Sequence, residues 1–62
     1  MTEYERCSLM LEALFPYQQN LQQRWWDSAN KAFEGNTPRM MLELNPQTVV
    51  QYLSKQFSGE YL

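Results

Sequence analysis

Glu34-Gly35-Asn36-Thr37-Pro38-Arg39-Met40-Met41-Leu42-Glu43-Leu44-Asn45-Pro46-Gln47-Thr48-Val49-Val50-Gln51-Tyr52-Leu53 is the stretch that decides the fold. Glu34-Gly35-Asn36 reads as a helix stop, with Gly35 suited to the left-handed position after a helix end. Thr37-Pro38 then reads as a helix start, a capping hydroxyl followed by proline at the first helical position. A short helix is expected from Pro38 to about Glu43, with Met41 and Leu42 inward. Asn45-Pro46 repeats the device. It opens a helix to about Phe57 that presents Val49, Val50, Leu53 and Phe57 at 3.6-residue spacing. Ser58-Gly59 ends it.

Toward the N-terminus the signals are also helical. Thr2-Glu3-Tyr4-Glu5 has the form of a capping box, in which the threonine hydroxyl and the glutamate exchange bonds with each other's backbone. Tyr4, Cys7, Met10, Leu11 and Leu14 follow on one helical face. Pro16 stops this helix near Ala13 or Leu14 and is placed to open the next one. Tyr17 to about Phe33 contains no Gly or Pro. Leu21, Trp25, Ser28, Ala29 and Ala32 form one stripe, and Trp26, Ala29 and Phe33 form a second. A break near Asp27-Ser28, with either residue capping a new short helix, is an open alternative. No strand alternation is visible. The expected fold is all-α, a small bundle of three to four short helices, with residues 1–62 as a single helical protein-binding domain.

The chain has 62 residues, a length at which folding buries only about 60% of the unfolded surface. Hydrophobic gain and ordering entropy nearly cancel at this size, so such chains usually add disulfides, a metal or a partner. One cysteine and no histidine leave association as the expected source of extra stability, as a homo-oligomer or a hetero-oligomer. Seven acidic residues face five basic ones, for a formal charge of −2 and a pI near 4.8. Arg6, Arg24, Lys31, Arg39 and Lys55 are scattered. Nucleic-acid binders carry a basic footprint, because phosphate neutralisation dominates their affinity, so direct binding to nucleic acid is not expected. The longest apolar run is Leu9-Met10-Leu11, far short of a bilayer span of ~20 residues, so no membrane is expected as a partner. The N-terminus lacks the basic-then-apolar layout of a signal peptide, and a lone cysteine fits a reducing compartment. The expected location is cytoplasmic.

Catalysis needs a nucleophile with a base, a tuned carboxylate pair or a metal. Histidine is absent, and Cys7 falls within an apolar stripe, where free cysteine usually packs as a small core residue. Asp27 and Glu34 read as solvated surface charges. No Gly-rich phosphate loop exists with two glycines. The sequence is therefore read as non-enzymatic, with no catalytic, cofactor-binding or metal-binding residues and no cofactor.

Aromatics make up 15% of the chain, and they serve both cores and binding surfaces. Adjacent helical residues point about 100° apart, so Trp25 and Trp26 cannot share a face. Trp25, in line with Leu21 and Ala29, is assigned to the core. Trp26 is assigned to the edge as a partner-binding candidate, with both buried as the alternative. Met41 is expected inward and Met40 partly exposed, as an adaptable contact residue.

From Trp25 to Tyr61 the chain resembles the toxin-binding domain of the MbcA/ParS/Xre antitoxin family. The matching residues are Trp25-Trp26, Asn30, Phe33, Gly35, Thr37-Pro38, Met41-Leu42, Val50, Leu53, and Gly59 before the aromatic Tyr61. The resemblance implies a cytoplasmic inhibitor of toxins of the RES type, which consume NAD. It implies that Gly59, Glu60, Tyr61 and Leu62 form an inhibitory tail. Trp25/Trp26, Asn30 and Gly35 to Pro38 would be the scaffold that sets the direction of that tail. Residues 1–24 hold at most one and a half helices, where the family usually has a helix-turn-helix-like portion. A phage or mobile-element protein that binds and inhibits or redirects a host protein is the alternative reading. The partner-binding candidates are thus Trp26, Met40, Gly59, Glu60, Tyr61 and Leu62. Tyr61 and Leu62 are large and apolar for a chain end; they either fold back on the core or wait for a partner's pocket.

Overall fold

A computed structural model describes residues 1–57, and four α-helices account for most of them. These are α1 (Glu3–Leu14), α2 (Gln19–Asp27), α3 (Pro38–Leu44) and α4 (Pro46–Lys55), with one 3-10 turn at Lys31–Phe33 between α2 and α3. The expected all-α bundle forms, with no strand among the described residues. α1 packs on α4, α3 packs on α4, and α2 touches both α1 and α3.

The capping signals are realised locally. The Thr2 hydroxyl accepts the Glu5 N–H at 3.1 Å, and the Glu5 carboxylate accepts the Thr2 N–H at 2.9 Å, which completes the box. Thr37 Oγ1 accepts the Met40 N–H at 3.1 Å, with Pro38 in the first turn of α3. α4 also starts on proline, but Asn45 makes no side-chain cap. Asn45 is shared instead: its N–H closes α3 on Met41 O at 2.7 Å and its carbonyl accepts the Thr48 N–H at 3.1 Å. α4 ends at Lys55, so Phe57 lies beyond the helix and is half exposed.

The core consists of Cys7 and Leu11 from α1, Trp26 from α2, Phe33 from the 3-10 turn, and Val49, Val50 and Leu53 from α4. Met10, Leu14, Phe15, Trp25, Met41, Leu42 and Tyr52 pack around it half-buried. The aromatic rings interlock. Trp25 meets Trp26 edge-on at 5.2 Å and stacks on Tyr52 at 6.2 Å, while Phe33 meets Tyr52 edge-on at 5.2 Å. Such pairs add ~0.5–1.5 kcal/mol each beyond the area they bury.

Two expectations about the second helix are corrected. α2 does not start at Pro16 but at Gln19, because Pro16 and Tyr17 form a β-turn closed by Gln18 N–H to Phe15 O at 3.1 Å. It stops at Asp27, where the open alternative placed a break, and it is the capping residue of the next turn that differs. Ser28 donates its hydroxyl back to Arg24 O at 2.7 Å, so it closes α2 rather than capping a new helix. The cap of the 3-10 turn is Asn30, whose Oδ1 accepts the Ala32 N–H at 2.9 Å.

The turn from residue 30 to 36 closes on itself. Asn30 N–H donates to Asn36 O at 3.1 Å, and Asn30 O accepts from both Phe33 and Gly35. Glu34 and Gly35 are consecutively left-handed, at φ 57° and 86°. A Cβ on Gly35 would meet nothing within 4 Å, so glycine is needed there for its backbone conformation and not for space.

Candidate protein-binding surface

Tyr4, Glu5, Ser8, Leu9 and Glu12 recur at helical spacing along a flank of α1 that runs from the edge of the Cys7–Leu11 face out to solvent, with Met1 just before the helix. Met1, Tyr4, Glu5, Ser8, Leu9 and Glu12, with Gln22 from α2, line an open groove of about 400 Å³. Met1, Tyr4 and Leu9 supply its apolar surface, and Leu9 is 59% exposed. Tyr4 joins groove to core, since its ring lies 5.3 Å from that of Trp26.

Glu12 builds the far end of this groove. Its carboxylate accepts the Gln22 side-chain amide at 2.5 Å and the Tyr17 N–H at 3.3 Å. Gln22 also donates to Phe15 O at 3.0 Å. One side chain thereby ties α1, the Pro16-Tyr17 turn and α2 together. The turn holds Tyr17 at φ 61° with its side chain 95% exposed. A bulky residue at positive φ costs on the order of 1–2 kcal/mol. The ring recovers none of that by packing on its own fold. Leu21, one turn into α2, adds a further exposed apolar side chain beside it.

The sequence-derived candidates are separated by the fold. Trp26 is not at the edge: it is 1% exposed and the largest fully buried side chain, so the assignment of Trp25 to core and Trp26 to surface is reversed in degree. The reason lies in α2's partners. Gln22 and Trp26 are four residues apart and share the face toward α1, where Gln22 finds Glu12 and the Phe15 carbonyl. The Leu21–Trp25–Ala29 stripe loses its continuation because α2 ends before Ala29, which is exposed. Arg39 covers the outer side of Trp26, its guanidinium 5.8 Å from the ring centroid, while it bridges to Asp27 at 2.8 Å. That bridge is solvent-exposed and contributes little by itself. Met40 is 52% exposed, on α3 with the exposed Leu44 one turn on. Gly59, Glu60, Tyr61 and Leu62 lie outside the described residues.

Cys7 is fully buried, and burial pushes its thiol above the ordinary range. It packs as part of the core beside Leu11 and Trp26. Among the described residues no three acidic or thiol side chains converge on a metal position, and no helix is long and apolar enough to cross a membrane.

Met1, Tyr4, Leu9 and Tyr17 were not singled out for binding from the sequence. By periodicity Glu5, Ser8 and Glu12 lie off the apolar face of α1 while Tyr4 falls on it, so the pattern alone does not group them as one surface. Tyr17 carried a signal in Pro16, which places the following residue in a turn as readily as in a helix. No family model matches the chain, and neither does a curated protein or a solved structure.

Proposed function

We propose that the chain is a small non-enzymatic protein-binding module, acting as an antitoxin-like inhibitor of a RES-type toxin that consumes NAD. The observation that carries the binding role is Tyr17. A large aromatic is held in a left-handed turn, outside the core and beside the exposed Leu21, with its N–H bonded to Glu12 of the α1 groove. Strain kept where it earns no packing points to a use for the displayed side chain. Tyrosine is a favoured interface anchor because it offers large area at low entropic cost. The toxin-inhibiting form of the proposal is supported by the resemblance of residues 25–61. In it, Asn30 and Gly35 to Pro38 serve as scaffold, consistent with their closed hydrogen-bonded turn. Gly59 to Leu62 serve as the inhibitory tail.

The test is site-specific photo-crosslinking in the native host. A crosslinking phenylalanine analogue replaces Leu9, Tyr17 or, on exposed α4 surface, Gln47. Positions 9 and 17 should capture the same protein and position 47 should not. The captured protein should be NAD-consuming, and the purified chain should suppress that activity. Capture through position 47 alone, or at none, rejects the binding surface. Capture of a protein with no such activity rejects the toxin-inhibiting form and leaves the binding module standing.

A further inference from the structure

We infer that the α1 groove takes a basic amphipathic helix of about three turns, an inference that rests on the binding role proposed above and names its partner's chemistry. Its length and its charge point to this occupant. From Tyr4 to Glu12 the helical part of the lining rises about 12 Å at 1.5 Å per residue, and Met1 extends it past the start of α1. A helix lying alongside would present anchors at i, i+3 or i+4, and i+7, the usual mode for a helix in a groove. Met1, Tyr4 and Leu9 offer apolar contacts along that length. Both charged residues in the lining, Glu5 and Glu12, are carboxylates, and no basic side chain lines it. Outside the lining, α1 carries one further carboxylate, Glu3, and one basic side chain, Arg6, which offset each other in charge. Charge complementarity therefore selects Lys or Arg flanking the partner's apolar stripe. The same carboxylates disfavour the other occupants. A second copy of this face would set Glu5 and Glu12 against like charges, and anionic lipid or nucleic-acid phosphate would be repelled.

The probes are two end-capped peptides of about 14 residues with one amphipathic pattern, one of Leu and Lys, the other of Leu and Glu. Each is titrated into the isotope-labelled full chain at physiological salt and followed by amide NMR shifts. The Leu/Lys peptide should bind, with the largest shifts at residues 1, 4, 5, 8, 9, 12 and 22. The Leu/Glu peptide should bind at least tenfold more weakly. Leu9→Arg should weaken the Leu/Lys peptide at least tenfold. Leu9 is exposed, so a circular dichroism melt of this variant should match the parent. Gln47→Ala, on the exposed surface of α4, should leave binding unchanged. Equal binding of both peptides, shifts centred on Met40 and Leu44, an unaffected Leu9→Arg variant, or no binding by the Leu/Lys peptide would each overturn the inference. If crosslinking through positions 9 and 17 still captures a partner while these peptides fail, the helix inference falls and the binding role stands. If crosslinking also fails, the binding role falls with it.

Discussion

Tyr17 and Trp26 show how differently two aromatics nine residues apart in sequence are used. Tyr17 is displayed at positive φ, so replacing it with glycine relieves backbone strain worth on the order of 1–2 kcal/mol. Glycine's greater unfolded-state freedom takes back ~0.5–1 kcal/mol. Tyr17→Gly should thus leave the melting temperature equal or slightly raised while it weakens partner capture. A clear loss of stability would mean that the ring packs on its own fold. Trp26 is the reverse case. Its 1% exposure places it under Tyr4, Trp25 and Arg39. Trp26→Ala should cost about 3–5 kcal/mol, the usual range for a buried large aromatic. That is a large share of a small domain's total stability. A chemical denaturation curve close to the parent's would return Trp26 to the surface.

At the scale of elements, the helix starts carry the testable energetics. Thr37→Ala removes the hydroxyl that accepts the Met40 N–H and should lower stability by about 1 kcal/mol. An unchanged melting temperature would refute the capping role. The α1 box adds a pH dependence. Hydrogen bonds from the Thr2 backbone, and then from its side chain, hold the Glu5 carboxyl below its ordinary pKa. A depressed carboxyl stabilises the fold above its unfolded pKa, and that contribution is lost as pH falls through the folded value. The melting-temperature gap between the parent and Glu5→Ala should therefore be full at pH 7 and shrink below about pH 4. A gap that widened on acidification would contradict the box. Glu5 is solvent-exposed, so the effect is small.

For the whole molecule, short helices around one aromatic core leave several large apolar side chains outside, on α1, on the Pro16-Tyr17 turn and on α3. A ligand that binds only the folded state stabilises it by mass action, by about 2.7 kcal/mol at a hundredfold excess over Kd. The captured partner should accordingly raise the melting temperature. Deleting residues 60–62 should leave the melting curve of the free chain nearly unchanged and abolish inhibition of the toxin. A large drop in melting temperature would make those residues part of the core. Retained inhibition would remove them from the mechanism.

The helix starts were legible because capping is local: Thr2 with Glu5, and Thr37 with Met40, are three residues apart and need no tertiary partner. The apolar sets Cys7–Leu11 and Val49–Val50–Leu53 were legible for a related reason, since periodicity alone puts them on one face. The binding candidates were less so. Met40 was placed by its neighbour Met41, but Trp26 was misplaced because two adjacent indoles satisfy the same pattern in either rotation. Tertiary structure decided between them through groups remote in sequence. The Trp26 ring packs inward against Tyr4 and Trp25 beneath Arg39, and Gln22 on the same face of α2 bonds to Glu12 and Phe15 O. Tyr17's exposure was decided in the same way. Glu12 accepts the Tyr17 N–H across five residues within the Pro16-Tyr17 turn, where local propensity equally allowed α2 to begin at Pro16. Sequence by itself determined where α1, α3 and α4 begin and which residues share a face, because those depend on caps, prolines and angles within a few residues. Only the packed molecule determined which face was left for a partner, because that depends on how each helix is rotated against the others.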